Sequence, residues 1–453
     1  MTAEKSFASL PLSKEMLRNL NNIGYLEMTP VQKQSLPFIL KNRDVLAQAK
    51  TGSGKTAAFG IGLLSKLDVK KFTIQSLILC PTRELAEQVA LELRNLAKFQ
   101  HNIKILTLCG GVAFGPQLNS LRHGAHIVIG TLGRIINHLD KKSLDLKDVA
   151  TLVLDEADRM LDMGFKEDID KILSYMPKEH QTLLFSATFP DEIVNLSESL
   201  QKDAINIQTA DMEKSNSVEE YFYQVNSNDK FSTLVKVFTT YKPRNSIVFC
   251  NTKIEAKELA VNLRDINIDA LAIHGDLEQY ERNDVLIQFK NESCAILIAT
   301  DVAARGLDIK ELDMVINYDF PFTKEVYIHR IGRTARAGKK GIAVSLVDEN
   351  DKDIDEYFDY SDVKNLKKDK NFSLQPKNVT LVIEGGKKDK LRAGDILGSL
   401  TKEGKIPNDK IGKIDILPRQ SYVAFKRDFI EKAHRYLKNG KIKGKKFSVW
   451  ILE

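Results

Sequence analysis

Two short strings carry the residue types needed to hold and split ATP, and they lie about a hundred residues apart. The first, AKTGSGKT, spans 49–56; the second, Asp-Glu-Ala-Asp, spans 155–158. In the first, Thr51, Gly52, Ser53 and Gly54 form a cradle, because the glycines let successive N–H groups point inward at phosphate. Lys55 adds a mobile point charge for the outer phosphates, and Thr56 a hydroxyl where Mg2+ would sit. The helix that begins here aims its positive end at the same phosphates. The strict pattern G-x-x-x-x-G-K-[ST] is not met, since position 49 is Ala. Taken alone, the string reads equally well as a glycine-rich turn from strand to helix. In the second string Asp155 suits the metal and Glu156 suits polarising a water, although acids also favour the first turn of any helix. The preceding run, Thr151–Leu154, is short and apolar, as a buried parallel strand is. Acids outside the carboxyl end of such a strand lie where open α/β sheets bind ligands. Each string thus supplies what the other lacks: one holds the triphosphate, the other the metal and the attacking water.

These groups need a scaffold. The chain has 453 residues, enough for two or three domains, with 43% hydrophobic and 28% charged content. No stretch has the apolar length that spans a bilayer, and the start, MTAEKSFASL, lacks the regions of a signal peptide. Cys80, Cys109, Cys250 and Cys294 lie far apart without metal-ligand spacing, as buried reduced thiols of a cytoplasmic protein would. Within a first domain of residues 1–210, short apolar strands alternate with amphipathic helices from Leu36 to about Gln208. The expected strands are Asp44–Ala49, Gln75–Cys80, Ile103–Cys109, Ile127–Gly130, Thr151–Leu154 and Thr182–Ser186. After a polar stretch, residues 217–365 repeat the alternation, with strands at Ser246–Cys250, Ala270–Ile273, Ala295–Thr300, Met314–Tyr318 and Gly341–Leu346. Residues 366–377 read as a polar linker, and residues 378–453 as a small βαββαβ module. The fold class is therefore α/β: two tandem parallel-sheet domains followed by a small α+β domain of the RNA-recognition type.

Net charge is +6, but residues 378–453 hold 18 Lys+Arg against 9 Asp+Glu, a surplus of +9 that leaves −3 for the rest. A basic terminal module on a near-neutral body suggests an attached nucleic-acid-binding unit.

Further strings occur in a fixed order: GYLEMTPVQ (24–32), PTRELAEQ (81–88), Gly110-Gly111, TLGR (131–134), SAT (186–188), IVFCNT (247–252), ATDVAARGLDI (299–309) and YIHRIGRTARAG (327–338). With the two phosphate strings, this set resembles the DEAD-box RNA helicases of helicase superfamily 2, over roughly residues 7–345. GKIDILPRQSYVAF (412–425) and KIKGKKFSVW (441–450) resemble the specificity domain of that family's DbpA/YxiN group. The resemblance implies two RecA-like domains and an ATP-dependent RNA helicase with ATP and Mg2+ as cofactors. It implies closure of an interdomain cleft on ATP and RNA together, with bending of one strand of a short duplex. It further implies a target in 23S rRNA near the peptidyl-transferase centre, on a pre-50S ribosomal particle, and no membrane partner. An ATP-gated RNA clamp that does not unwind would carry the same motifs.

The roles implied are specific. Phe7, Tyr25, Thr29 and Gln32 would serve the base, with the Gln32 amide pairing to adenine, although Phe7 could instead staple the first helix. Gly306 and Asp308 would lie at the ribose. Arg333 and Arg336 would be arginine fingers, three apart on one helix face, and His329 would join them at the catalytic centre. Asp158, Ser186 and Thr188 would couple the nucleotide and RNA sites. RNA contacts fall on Thr82, Arg83, Gly111, Thr131, Gly133 and Arg134 in the first domain. In the second they fall on Thr252, Gly275, Arg282, Thr300 and Arg305. In the terminal module Lys387, Lys388, Arg419, Tyr422 and Lys445 are the candidates; its first strand has no aromatic residue, so basic groups should dominate. Two positions depart from the family pattern: Leu132 stands for the usual Pro of TPGR, and Ala335 for the usual Gly of GRTGR. The first could loosen the RNA turn; the second adds one methyl beside the fingers.

Overall fold

The computed structural model describes residues 6–49, 52–208, 218–304, 312–335, 340–348, 360–369 and 371–452. They form two compact units that divide near Ser215.

The first unit is a seven-stranded sheet: β1 (Val45–Gln48), β2 (Ser76–Cys80), β3 (Ile105–Leu108), β4 (Ile127–Thr131), β5 (Thr151–Asp155), β6 (Gln181–Ser186) and β7 (Ile205–Gln208). Their order is β3-β4-β2-β5-β6-β1-β7, and every pairing is parallel. Apolar runs form strands here because both faces are covered. Val45, Ala47, Ile78, Val153 and Phe185 enter one core cluster, whereas Leu46, Leu77, Leu79, Leu152, Leu154 and Leu184 enter the other. Alternate residues serve opposite faces, and each Leu so buried contributes about 1.5–3 kcal/mol. The six expected strands form; β7 is an addition, a four-residue edge strand paired to β1. All strands running one way places their carboxyl ends on one edge. On that edge β1, β6 and β5 are neighbours, so the phosphate string, Ser186 and Asp155 meet there.

The second unit holds β8 (Val218–Val225), β9 (Ser246–Phe249), β10 (Ala270–Ile273), β11 (Ile296–Ala299), β12 (Met314–Asn317) and β13 (Gly341–Asp348). This sheet is parallel, in the order β10-β11-β9-β12-β13-β8. The addition is β8, whose polar outer residues Glu219 and Glu220 hide it from an apolar pattern. Within residues 366–377, Leu366 is buried, and Phe372 and Leu374 pack against the core of Leu234, Phe238 and Leu263. Leu374 also exchanges backbone hydrogen bonds with Asp269 (2.9 Å) and Asn267 (3.2 Å).

The same unit ends in an antiparallel sheet, β14 (Asn378–Ile383), β15 (Ile411–Ile416), β16 (Ser421–Lys426) and β17 (Val449–Ile451), ordered β15-β16-β14-β17. Helices at Ala393–Gly398 and Ile430–Asn439 complete the expected βαββαβ order. One sheet face builds the core, with Leu381, Ile383, Val423 and Phe425 against Ile396, Leu400, Ala433 and Leu437. The other face docks on the parallel-sheet domain. Thr380 and Ser293 hydroxyls lie 2.8 Å apart, the Asn378 amide donates to the Asn291 carbonyl at 2.9 Å, and the Tyr422 hydroxyl donates to Asp284 Oδ1 at 2.7 Å.

Tyr422 was expected to face RNA, and the structure corrects this. It is 2% exposed, because the sheet face on which such modules stack bases is turned against the neighbouring domain. Phe425, the other aromatic of β16, is in the core. Tyr422→Phe removes a hydrogen bond to a carboxylate and should lower the stability of the docked module by about 1.5–3 kcal/mol. The single Trp, Trp450, pairs with Val382 as Tyr422 does, so its fluorescence in a urea titration reports the shift.

Candidate active site

Residues 52–54 turn through two left-handed glycines, Gly52 (φ 87°) and Gly54 (φ 90°), into the helix Lys55–Lys66. A Cβ on Gly54 would lie 2.5 Å from the Gln32 amide nitrogen, so glycine is needed there for close approach as well as for backbone freedom. Gln32 is held at both ends: its Oε1 accepts from the Thr29 N–H (2.9 Å) and its Nε2 donates to the Gly54 carbonyl (3.0 Å). Phe7 is buried in the core and meets Tyr25 edge-on, with ring centroids 6.4 Å apart. The Tyr25 hydroxyl bonds Glu92. Thr51 lies outside the described residues.

Lys55 crosses to β5 and pairs with Asp155 Oδ1 at 2.8 Å; Glu156 Oε1 lies 3.9 Å away. Burial alone would push the Lys55 ammonium down, but Asp155 and Glu156 outweigh it and hold its pKa above the ordinary value. Glu156 adopts a left-handed backbone (φ 57°, ψ 53°), which costs a non-glycine residue about 1–2 kcal/mol. The kink turns the chain from β5 into the helix Ala157–Asp162, and the Glu156 carboxylate is steadied by Arg159 Nη1 at 2.7 Å. Arg159 was not foreseen; its position three residues after Glu156 on a helix is the signal. Asp155, Glu156, Asp158, Lys55 and Arg159 are all buried, and together they carry −1. Among the described residues Asp155 Oδ2 has no hydrogen-bond partner. A buried carboxylate oxygen with open lone pairs, inside a net negative cluster, fits a hard divalent cation.

Asp158 turns toward β6. Its Oδ2 accepts from the N–H groups of Ala187 and Thr188 (both 3.0 Å) and from the Thr188 hydroxyl (3.1 Å), while Ser186 Oγ donates to the Thr188 carbonyl (2.6 Å). The acidic string is thus bonded to the SAT string directly.

On the same sheet edge, Thr82 caps the helix Arg83–Leu96, accepting from the Leu85 N–H at 3.3 Å. Arg83 lies over Gly110 and Gly111; a Cβ on Gly111 would fall 1.7 Å from its Nη1. Thr131 precedes the helix Leu132–Asp140, Gly133 has open space around it, and Arg134 donates to Gln117 at 2.8 Å. Leu132 is buried at the first helical position, where Pro is also accepted, so the helix start forms with either residue.

In the second unit the described residues of the corresponding strings also converge at strand carboxyl ends. Thr252 caps the helix Lys253–Asp265, Arg282 donates to the Ala303 carbonyl at 2.7 Å, and Thr300 follows β11 directly. Gly275 lies beside Asp276, which pairs with Lys253 at 2.9 Å. His329 sits half-buried on the helix Lys324–Ile331, and Arg333 is buried just beyond it. Ala335 takes φ 55°, a left-handed conformation that glycine enters freely and alanine does not. Arg305, Gly306, Asp308 and Arg336 lie outside the described residues.

Sequence strings missed the groups that bind these loops together. Asp319, just after β12, accepts from Lys230 (3.0 Å) and from the Asn251 N–H (2.8 Å). Arg330 spans Asp301, Asn251 and Asp319. Asn251, Asp301 and Arg330 all stand within the strings, but their use lies in mutual pairing that spacing does not reveal. Burial and the adjacent Asp319 carboxylate raise the Glu255 carboxyl to about 8. An acid raised above its unfolded value of about 4.3 contributes stability at low pH that is lost as pH rises through the folded value. The contribution of Glu255, read as the difference in stability between the wild type and Glu255→Gln in chemical denaturation, should therefore fall as pH rises from about 5 to about 8.

In the terminal module three loops meet. A Cβ on Gly386 would come within 2.3 Å of the Leu417 carbonyl, so glycine there permits the 417–420 turn to lie on the 385–392 loop. The N–H groups of Lys387 and Lys388 donate to the carbonyls of Leu417 and Pro418, each at 2.9 Å. Lys443 Nζ donates to the Lys390 carbonyl at 3.1 Å, which brings in the loop holding Lys445. Lys387, Lys388, Arg419 and Lys445 are exposed, at one end of the module.

Comparison with known proteins agrees with this geometry. Residues 29–196 match the DEAD/DEAH box helicase family, 229–338 the helicase conserved C-terminal domain, and 380–451 the DbpA RNA binding domain. The ATP-dependent RNA helicase DbpA of Escherichia coli is 46% identical, over the whole of both chains. DbpA of Bacillus subtilis is 38% identical over 98% of each. A structure of S. cerevisiae Dbp5 bound to RNA and ADP BeF3 aligns with 76% of this chain and 90% of its own, at 31% identity and a TM-score of 0.69. The chain belongs to the DEAD-box ATP-dependent RNA helicases, in the DbpA group.

Proposed function

We propose that this helicase uses Mg-ATP to separate short duplexes locally in 23S rRNA near the peptidyl-transferase centre, on a pre-50S particle in the cytoplasm. The observation that carries the target is the gathering of Lys387, Lys388, Arg419 and Lys445 on adjoining loops of a module matching the DbpA RNA binding domain. The opposite sheet face is docked, which leaves this basic end for phosphate.

The chemistry follows from the first unit. Asp155 and Thr56 would hold Mg2+, which neutralises charge developing on the phosphates. Lys55, paired with Asp155 at 2.8 Å, would turn to the phosphate oxygens when nucleotide is bound and leave that carboxylate to the ion. Glu156, fixed by Arg159, orients and polarises the attacking water. Gln32 and Thr29 serve the base, and Gly52, Ser53 and Gly54 the phosphates, with Thr51 belonging to the same cradle. Arg333, with Arg336, supplies positive charge to the transition state, with His329 beside them, and Gly306 and Asp308 serve the ribose. Asp158, Ser186 and Thr188 transmit changes at the acidic string toward Arg83, Gly111, Thr131 and Arg134. These hold RNA by its backbone, as do Thr82, Gly133, Thr252, Gly275, Arg282, Thr300 and Arg305.

Glu156→Gln keeps the side chain's shape and removes its charge. It should retain ATP and RNA binding and lower RNA-stimulated hydrolysis by at least about a hundredfold. Near-normal phosphate release in steady state would exclude the assigned role. The target is tested by combining Lys387→Ala, Lys388→Ala and Arg419→Ala. Affinity for 23S rRNA fragments, measured by fluorescence anisotropy across salt concentrations, should fall and lose roughly two counterions of salt dependence. Unchanged binding would place the recognised RNA elsewhere.

A further inference from the structure

The terminal module does not fill its seam with the parallel-sheet domain. Beside the hydrogen bonds of Thr380 and Tyr422, the seam holds a cavity of about 350 Å³. Both sides build it: Arg264, Asp269 and Gln288 come from the parallel-sheet domain, Thr380 and Arg427 from the module. Its volume lies in the range of small-molecule sites, about 300–1,000 Å³.

The polar groups on these walls are not spent on one another. Gln288, on the helix Gln279–Lys290, is 5% exposed, and its amide has no hydrogen-bond partner among the described residues. Buried amides are ordinarily bonded, and this one offers a donor and an acceptor to whatever enters the cavity. Asp269 is half-buried, and its carboxylate accepts no hydrogen bond from the described residues. Burial pushes that carboxyl up, against the pull of the nearby Arg427 and Arg264. Arg427 uses only Nε, on the Pro376 carbonyl at 3.2 Å, and the Arg264 side chain has no partner among the described residues. Two guanidinium groups and one carboxylate leave the walls with a charge of +1. Leu271, Val379 and Ile451 add apolar surface.

Such walls suit a flat, largely apolar body with a hydrogen-bonding edge and an anionic tail. We propose that the seam binds a ribonucleotide whose base bears an exocyclic amine. The amine donates to Asp269, the Gln288 amide pairs with the base edge, and Arg264 and Arg427 hold the phosphate. A free mononucleotide and an unstacked nucleotide of an RNA strand both present this chemistry. The occupant touches both sides of the seam, so its binding stabilises the docked module. None of these residues belongs to the phosphate cradle of the first unit.

CMP and UMP make a matched pair of probes. They differ at one edge position, an amine in cytosine and a carbonyl in uracil, and neither carries the adenine assigned to Gln32. Isothermal titration of the full-length protein should show CMP binding about tenfold tighter than UMP, the scale of one hydrogen bond gained against one repulsive pair. Gln288→Leu keeps the buried bulk and should weaken CMP by about tenfold. Asp269→Asn gives the uracil carbonyl a donor and should remove the preference for CMP. Binding at the phosphate cradle is common to both probes and indifferent to both variants. A cytidine tetranucleotide separates the two sources. If it binds more tightly than CMP and is weakened by Gln288→Leu, the occupant belongs to an RNA strand; if only CMP responds to that variant, the occupant is free nucleotide. If CMP and UMP bind alike, and neither variant alters any of the three ligands, the cavity holds only water and the proposal fails.

Discussion

Everything in the first unit depends on compensating charge inside a dry strand end. Lys55, Asp155, Glu156, Asp158 and Arg159 are each under 5% exposed, and taking any one of them out of water alone would be prohibitive. They are tolerable together because every carboxylate has a cation or a set of N–H donors within reach. The balance is still one negative charge, and one Asp155 oxygen is left without a hydrogen bond among the described residues. A net negative charge and an open carboxylate oxygen in a buried cluster are features that fit a hard divalent cation.

The parallel sheets are what make such an arrangement possible. With all strands running in one direction, their carboxyl ends form a single edge, and the loops leaving that edge are free to carry chemistry. In the first unit the phosphate cradle, Asp155 and Ser186 meet because β1, β6 and β5 are neighbours. In the second, Asn251, Asp301 and Asp319 meet because β9 lies between β11 and β12. The same geometric rule yields a buried charge cluster in one unit and a hydrogen-bonded hub around Arg330 in the other. The difference lies in which polar side chains occupy the edge.

The terminal module shows the converse use of a sheet. Its outer face carries Thr380 and Tyr422, which could serve RNA, but both are spent on Ser293, Asn291 and Asp284. Docking leaves the charged loops as the exposed polar surface, and it makes module and parallel-sheet domain one compact unit.

Much of this was legible in the residues alone. Apolar runs gave the six strands expected of the first sheet and five of the second, and the order βαββαβ held to the last strand. The candidate roles of Lys55, Asp155 and Glu156 come from residue type and spacing, which are local, and that of Gln32 from the family resemblance. The edge strands β7 and β8 escaped notice, since a strand covered on one side needs fewer apolar residues. The fate of Tyr422, the burial of Phe7, the left-handed backbone of Ala335 and the span of Arg330 were decided only by the tertiary structure. Each depends on a partner distant in the chain or on a backbone angle imposed by its surroundings, and a sequence pattern records neither.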